Sequence, residues 1–367
     1  MESMAFSGAL LRMLRLERNW SQETLCENIC AVSYLSKIEQ GRVQPNETLL
    51  RDLFAKMDIA WQSVPREEGD RLRELLYDLV FSDDISAIEL SKEEGFSLGE
   101  RYLDYLILRA YCCGDKDLIP EQLRPLLDSR QMCLLYLLEG ETEKAMQVNP
   151  CALTIEKAGI SAYSNGDNTL ALELLQRSYD LACQHGYARI MMCCQAYMGN
   201  TYSDLRNVAH MLSHYQIAAR LARSLGETEL LQIMDYNIAS TRIECGEYEA
   251  GYAYFSRLEH SSALDLHKLA VCCEKLGKDQ EALQALNTAQ ESAEGVVASM
   301  CALVRFRVEN TEYLKDAAYG KMLLETFETL KKSMHAGYAR FHLPWVEEWC
   351  TANRKYRMAY EITRGFL

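Results

Sequence analysis

Apolar residues recur at three- and four-residue spacing through this chain, and no stretch alternates apolar and polar positions for the length of a strand. The spacing predicts a first amphipathic helix over residues 5–18, with Leu10, Leu11 and Leu14 turned inward and Asn19-Trp20 ending it. Leu25 and Ile29, four apart, mark a second helix. Leu35 and Ile38, three apart, mark a third, which Gly41 ends. A fourth starts from Asn46 as N-cap and turns Leu49, Leu50, Leu53 and Phe54 inward. The polar run over 58–69 carries a proline and reads as a linker. These elements place a first domain at residues 1–60, a linker at 61–69 and a second domain at 70–367.

From residue 70 onward the helical spacing continues, punctuated by turn signals. They fall at Gly114-Asp115, Gly140-Glu141, Gly166-Asp167, Arg206-Asn207, Gly246-Glu247, Gly277-Lys278 and Glu309-Asn310. From Gly166 on, the interval is that of one helical hairpin, which predicts a solenoid. Individual units resemble tetratricopeptide repeats. The run from Ala196 to Tyr202 matches the first helix of such a unit, and those starting at Gly246 and Gly277 match the turn and second helix. Gly159 with Tyr163, followed by the run from Gly166 to Ala171, matches another unit. The fold class expected is all-α: an N-terminal helix-turn-helix domain followed by a right-handed tetratricopeptide-like α-solenoid. Residues 70–150 fit the repeat poorly. The C-terminal stretch with Pro344, Trp345 and Trp349 breaks the period, as a capping unit does.

The stretch from Ser21 to Pro45, SQETLCENICAVSYLSKIEQGRVQP, resembles the helix-turn-helix of the Cro/phage-repressor class at some ten positions of fixed spacing. Ser21 is a good N-cap, and Gln22 then sits at the positive end of a helix, where a phosphate can be met. Ser33, Tyr34 and Lys37 fall opposite the apolar stripe of the third helix. In this class that face enters the major groove, so they are the base-reading candidates, with Ser36 beside them and Arg42 as a phosphate contact. The resemblance implies a structural ion pair between Arg15 and Glu39. The turn departs from the pattern: it carries Cys30-Ala31 in place of glycine and is one residue shorter than the commonest form.

A Cro-type domain followed by such repeats resembles the bacterial family of peptide-pheromone-responsive regulators typified by PlcR, NprR and Rgg. The resemblance implies a homodimeric transcription factor that binds a palindromic double-stranded operator and is controlled by a short linear peptide held in the concave groove of the repeats. An extended peptide has unpaired amides, and Asn offers a donor and an acceptor together. On the repeat alignment Asn200 and Asn237 lie on first helices of successive units and face the groove, with Tyr163, Tyr202 and Ser240 projecting nearby; these five are the peptide-binding candidates. Competing classes are a protein-docking scaffold that the first domain only localises, and a response-regulator phosphatase of the Rap type, which would need a catalytic Gln.

Net charge is −14, unlike that of a typical DNA binder. The charge is unevenly spread: residues 1–61 hold 7 Lys/Arg and 8 Asp/Glu, so nearly all the excess lies beyond them. Arg12, Arg18, Lys37 and Arg42 can still cluster on one face. The acidic remainder repels DNA elsewhere, which favours a dimer. The 14 Cys stand singly or as adjacent pairs, which suits small packing residues in a reducing compartment better than chelation. No run approaches 18 apolar residues and no signal segment is present, so the expected location is the cytoplasm, with no membrane association. His210 and His214 lack the Glu of a zinc-protease motif, and no phosphate-binding or nucleophile motif appears. A non-enzyme without metal or cofactor is expected.

Overall fold

A computed structural model describes residues 2–61, 66–85, 101–259, 261–334 and 336–364. Among these residues the chain forms helices and turns and no strand, so the protein is all-α. The chain divides into two compact units. One comprises residues 1–162 and 169–194, the other 163–168 and 195–367.

The first unit begins with α1 (Glu2–Glu17), α2 (Gln22–Cys26), α3 (Val32–Glu39) and α4 (Glu47–Ala55). The caps are those the sequence calls for. Ser21 Oγ accepts the Thr24 N–H at 3.1 Å, and Asn46 Oδ1 accepts the Leu49 N–H at 2.8 Å. Leu10, Leu11, Leu25, Leu35, Ile38, Leu53 and Phe54 are fully buried together, whereas Ile29 and Leu49 are only half-buried. The connection between α2 and α3 takes its left-handed residue at Asn28, φ +64°, ahead of Cys30-Ala31. Asn tolerates that conformation better than most side chains, so the turn forms without the usual glycine.

Glycine is needed elsewhere. A Cβ on Gly8 would lie 2.0 Å from the Ile38 carbonyl oxygen, so α1 and α3 meet backbone to backbone. Behind them Trp61 stacks on Phe54 with ring centroids 4.3 Å apart. The same apolar cluster continues into α6 (Tyr102–Cys113), which adds Tyr102, Leu103, Tyr105 and Leu106. Between α4 and α6 lies α5 (Arg66–Phe81), which takes in residues 66–69 of the expected linker. Positions 62–65 of that linker lie outside the described residues. The unit continues through α7 (Ser129–Leu138), α8 (Thr142–Val148), α9 (Ala152–Ser164) and α10 (Asn168–His185) into the start of α11 (Ala188–Asp204).

The second unit holds the rest of α11, then α12 (Val208–Leu225), α13 (Thr228–Glu244), α14 (Tyr248–Phe255), α15 (Ala263–Lys275), α16 (Asp279–Gln290), α17 (Gly295–Glu309), α18 (Ala317–Ser333), α19 (Ala336–Ala352) and α20 (Tyr356–Arg364). From α12 on, each helix packs against the next in sequence, as in stacked hairpins. Most of the turn signals read from the sequence coincide with a left-handed residue between helices: Gly114, Gly140, Gly166, Arg206, Gly246 and Gly277. Asn310 ends α17 in extended backbone instead. The buried guanidinium of Arg307 on α17 bonds Glu274 on α15 at 2.9 Å and lies over the Trp345 ring of α19, joining alternate layers of this stack.

Gly8→Ala would force α1 and α3 apart, because a backbone oxygen cannot swing away from the new methyl. We expect it to cost about 1–3 kcal/mol, read as a lower urea midpoint.

Candidate nucleic-acid interface and ligand pocket

The face of α3 is fixed from behind by one carboxylate. Arg15 grips Glu39 through both oxygens, Nε to Oε1 at 2.7 Å and Nη2 to Oε2 at 2.8 Å, while its Nη1 donates to the Trp20 carbonyl at 2.7 Å. Arg15 and Glu39 are both buried, and the hydrogen bonds to Glu39 hold the guanidinium protonated more firmly than usual. A two-point contact of this kind fixes angle as well as distance. Gln22 adds a third donor, Nε2 to Glu39 Oε2 at 2.7 Å. The Gln22 side chain, expected at a phosphate, is therefore half-buried and engaged inside the fold, while its backbone stays at the start of α2.

On the other side of α3, Ser33, Tyr34 and Lys37 are exposed, and so is Arg42 just past its end. Among the described residues none of these four side chains has a hydrogen-bond or ion-pair partner. Ser36 is half-buried and accepts from Gln40 Nε2 at 3.2 Å, which takes it partly out of play. Arg18, expected among the basic residues of this face, instead donates to the Leu14 and Met57 carbonyls at 3.2 Å each and ties α1 to the end of α4.

In the second unit, α11, α13, α15 and α19, with Tyr163 from the end of α9, line a pocket of about 530 Å³ including its open mouth. Asn200 and Asn237 meet there. Asn200 Oδ1 accepts from the Tyr215 hydroxyl at 2.5 Å and from Asn237 Nδ2 at 3.0 Å, and Asn237 Nδ2 also lies 3.2 Å from the Tyr215 oxygen. Tyr215 can reach them because a glycine sits beneath its ring: a Cβ on Gly199 would come within 2.3 Å of it. The Asn200 Nδ2 and Asn237 Oδ1 atoms remain uncommitted among the described residues, one donor group and one acceptor. Tyr163 and Ser240 line the same pocket, Tyr163 set edge-on to Tyr197 with centroids 5.6 Å apart. Tyr202 does not. It lies outside the pocket lining, stacked on His210 and His214 with centroids 4.9 and 5.2 Å away. Two positions beyond Asn200 are enough to turn it toward α12.

Several lining residues carried no signal in the sequence: Asp204, Tyr236, Glu244, Lys268 and Tyr338. Lys268 is 3% exposed and its Nζ lies 3.1 Å from the centre of the Phe341 ring. Burial pushes its ammonium well below the ordinary lysine range, and the Glu244 carboxylate pulls partly the other way. Only the distance of residues 204, 268 and 338 in the chain hides them; no local motif brings α11, α15 and α19 together.

Two further clusters are accounted for without a ligand. His210 Nδ1 lies 3.0 Å from Asn207 Oδ1 and His214 Nδ1 lies 2.8 Å from Gln195 Oε1, which engages one nitrogen of each ring. In the first unit Asp83, Glu156 and Cys193 converge closely enough to hold a metal ion. Lys157 already supplies a cation there, with Nζ 3.4 Å from Asp83 and 3.1 Å from Glu156.

A family model described as a helix-turn-helix domain matches residues 8–55, the segment that contains α2 and α3. No curated protein matches the chain. Among solved structures, the crystal structure of Bacillus thuringiensis PlcR in complex with the peptide PapR7 and DNA is similar with a TM-score of 0.32 and 14% identity, over 62% of this chain and 98% of that one. A likeness of that size has no bearing on function. Among the described residues no helix is long and apolar enough to cross a membrane.

Removing one side of a buried pair strands the other charge, so Glu39→Ala is expected to cost about 3–5 kcal/mol. The loss should appear in chemical denaturation and, below the midpoint, as weakened DNA binding.

Proposed function

We propose that this chain, whose residues 8–55 form a helix-turn-helix domain, is a sequence-specific DNA-binding transcriptional regulator controlled by a short peptide. Residues 1–60 are its reading head and 70–367 its sensor. The observation that carries the reading is the pairing of a free polar face on α3, formed by Ser33, Tyr34 and Lys37, with a buried brace at Glu39 that sets its angle. Lys37 and Tyr34 meet base edges in the major groove, and Arg42 and the start of α2 meet phosphates.

The pocket in the second unit takes an extended peptide. An unpaired peptide group needs a donor and an acceptor side by side, and the free atoms of Asn200 and Asn237 supply that pair. Tyr163 and Ser240 line the walls. Tyr338 and Gly337 line part of the pocket, whose size suits a slender ligand better than a broad protein surface. The active form is a homodimer on a palindromic operator, because a near-neutral head makes few phosphate contacts alone. The protein works without catalysis, in the cytoplasm.

Selection from random duplexes followed by footprinting tests the first half of this reading. Lys37→Ala should lose about 1–3 kcal/mol on the selected site and relax its sequence preference at one position. A footprint unchanged in strength and pattern contradicts the docking. For the second half, Asn200→Ala should weaken binding of the cognate peptide by about 1–3 kcal/mol in isothermal titration, while DNA binding without peptide stays as it was.

A further inference from the structure

The pocket's charges do not cancel. Asp204 is paired with Arg340 at 2.9 Å and Glu244 with Arg206 at 3.5 Å, so each carboxylate has its own arginine. Lys268 is left over. It is 97% removed from solvent, lines the pocket, and makes no hydrogen bond or ion pair among the described residues. Its neighbours include the face of Phe341, Cys272, His267, His342 and, without a closed ion pair, Glu244. A buried ammonium without a carboxylate in contact is costly, and proteins seldom keep one that nothing uses. The ring of Phe341 meets it partway, as an aromatic face does for a cation.

Taking the pocket as a peptide site, on which this inference rests, we propose that Lys268 is the anchor for an anionic group of the peptide, a carboxylate at its C-terminus or on an Asp or Glu side chain. The asparagine pair holds the peptide backbone and Lys268 sets which end or which residue enters. The carboxylate enters as the third acid beside three cations, leaving the pocket neutral. Burial disfavours the Lys268 ammonium, and a ligand carboxylate at contact distance offsets that cost.

The test uses the full chain and two mixtures of short random-sequence peptides, one with free C-termini and one amidated, with retained peptides read by mass spectrometry. Wild type should retain carboxylate-bearing peptides. Retention from the free-acid mixture alone assigns the anion to the C-terminus, and retention from both, with Asp or Glu at one fixed position, assigns it to a side chain. Lys268→Met, which fills a similar volume and removes a buried charge, should fold with an unchanged melt and lose this retention roughly tenfold to a hundredfold. Retained peptides indifferent to a carboxylate, or a Lys268→Met protein that retains the same set equally well, overturn the anchor while leaving the peptide site standing. If wild type retains no peptide from either mixture, the peptide reading itself fails and the anchor with it.

Discussion

Two helices can share a carboxylate only if their backbones come close enough, and in this protein that closeness depends on single hydrogen atoms. Gly8 lies against the carbonyl of Ile38, which leaves no room for a methyl between α1 and α3. That contact brings Glu39 within reach of Arg15, and the two-point pair then fixes the rotation of α3 about its own axis. Rotation decides which residues face outward. The same constraint acts in the second unit, where Gly199 lets the Tyr215 ring lie on α11 and places its hydroxyl on Asn200. The same order holds in both units: the small residue sets the gap, the gap sets the polar contact, and the polar contact orients the candidate side chains.

Much of the head was legible in the sequence. Its information is local, so spacing and capping residues could place four helices, two N-caps and the inward leucines. The turn was harder, because the sequence drew attention to Cys30-Ala31, whereas the left-handed residue is Asn28. Gln22 shows a different limit. A side chain at a helix start can point out to a phosphate or back into the fold, and only the position of Glu39 decides. Nor could periodicity show that Tyr102 and Leu106 on α6 extend the core beneath the head.

The pocket was half legible. Asn200 and Asn237 stand out because the repeat gives them equivalent places, and they do meet. Their contact with Tyr215 was hidden, since it depends on the missing side chain at Gly199. Tyr202 illustrates how little separates groove from core on a helix: two positions from Asn200 it belongs to the stack with His210 and His214. Asp204, Lys268 and Arg340 could not be found by any local rule, because the residues that pair or face one another are up to 136 positions apart. The acidic balance of the chain also takes on a different meaning at this scale. The pocket holds one buried cation, Lys268, opposite in sign to the net charge of −14.

The central claim is that the exposed face of α3 touches bases. Benzophenone-alanine placed at position 34, with position 51 on the exposed face of α4 as the control, reads this directly when the protein is irradiated on its selected duplex. The account predicts a covalent adduct to a base from position 34 and none from position 51. Adducts from 51 and not from 34 would mean that the protein meets DNA through another surface, and the function assigned to α3 would be wrong.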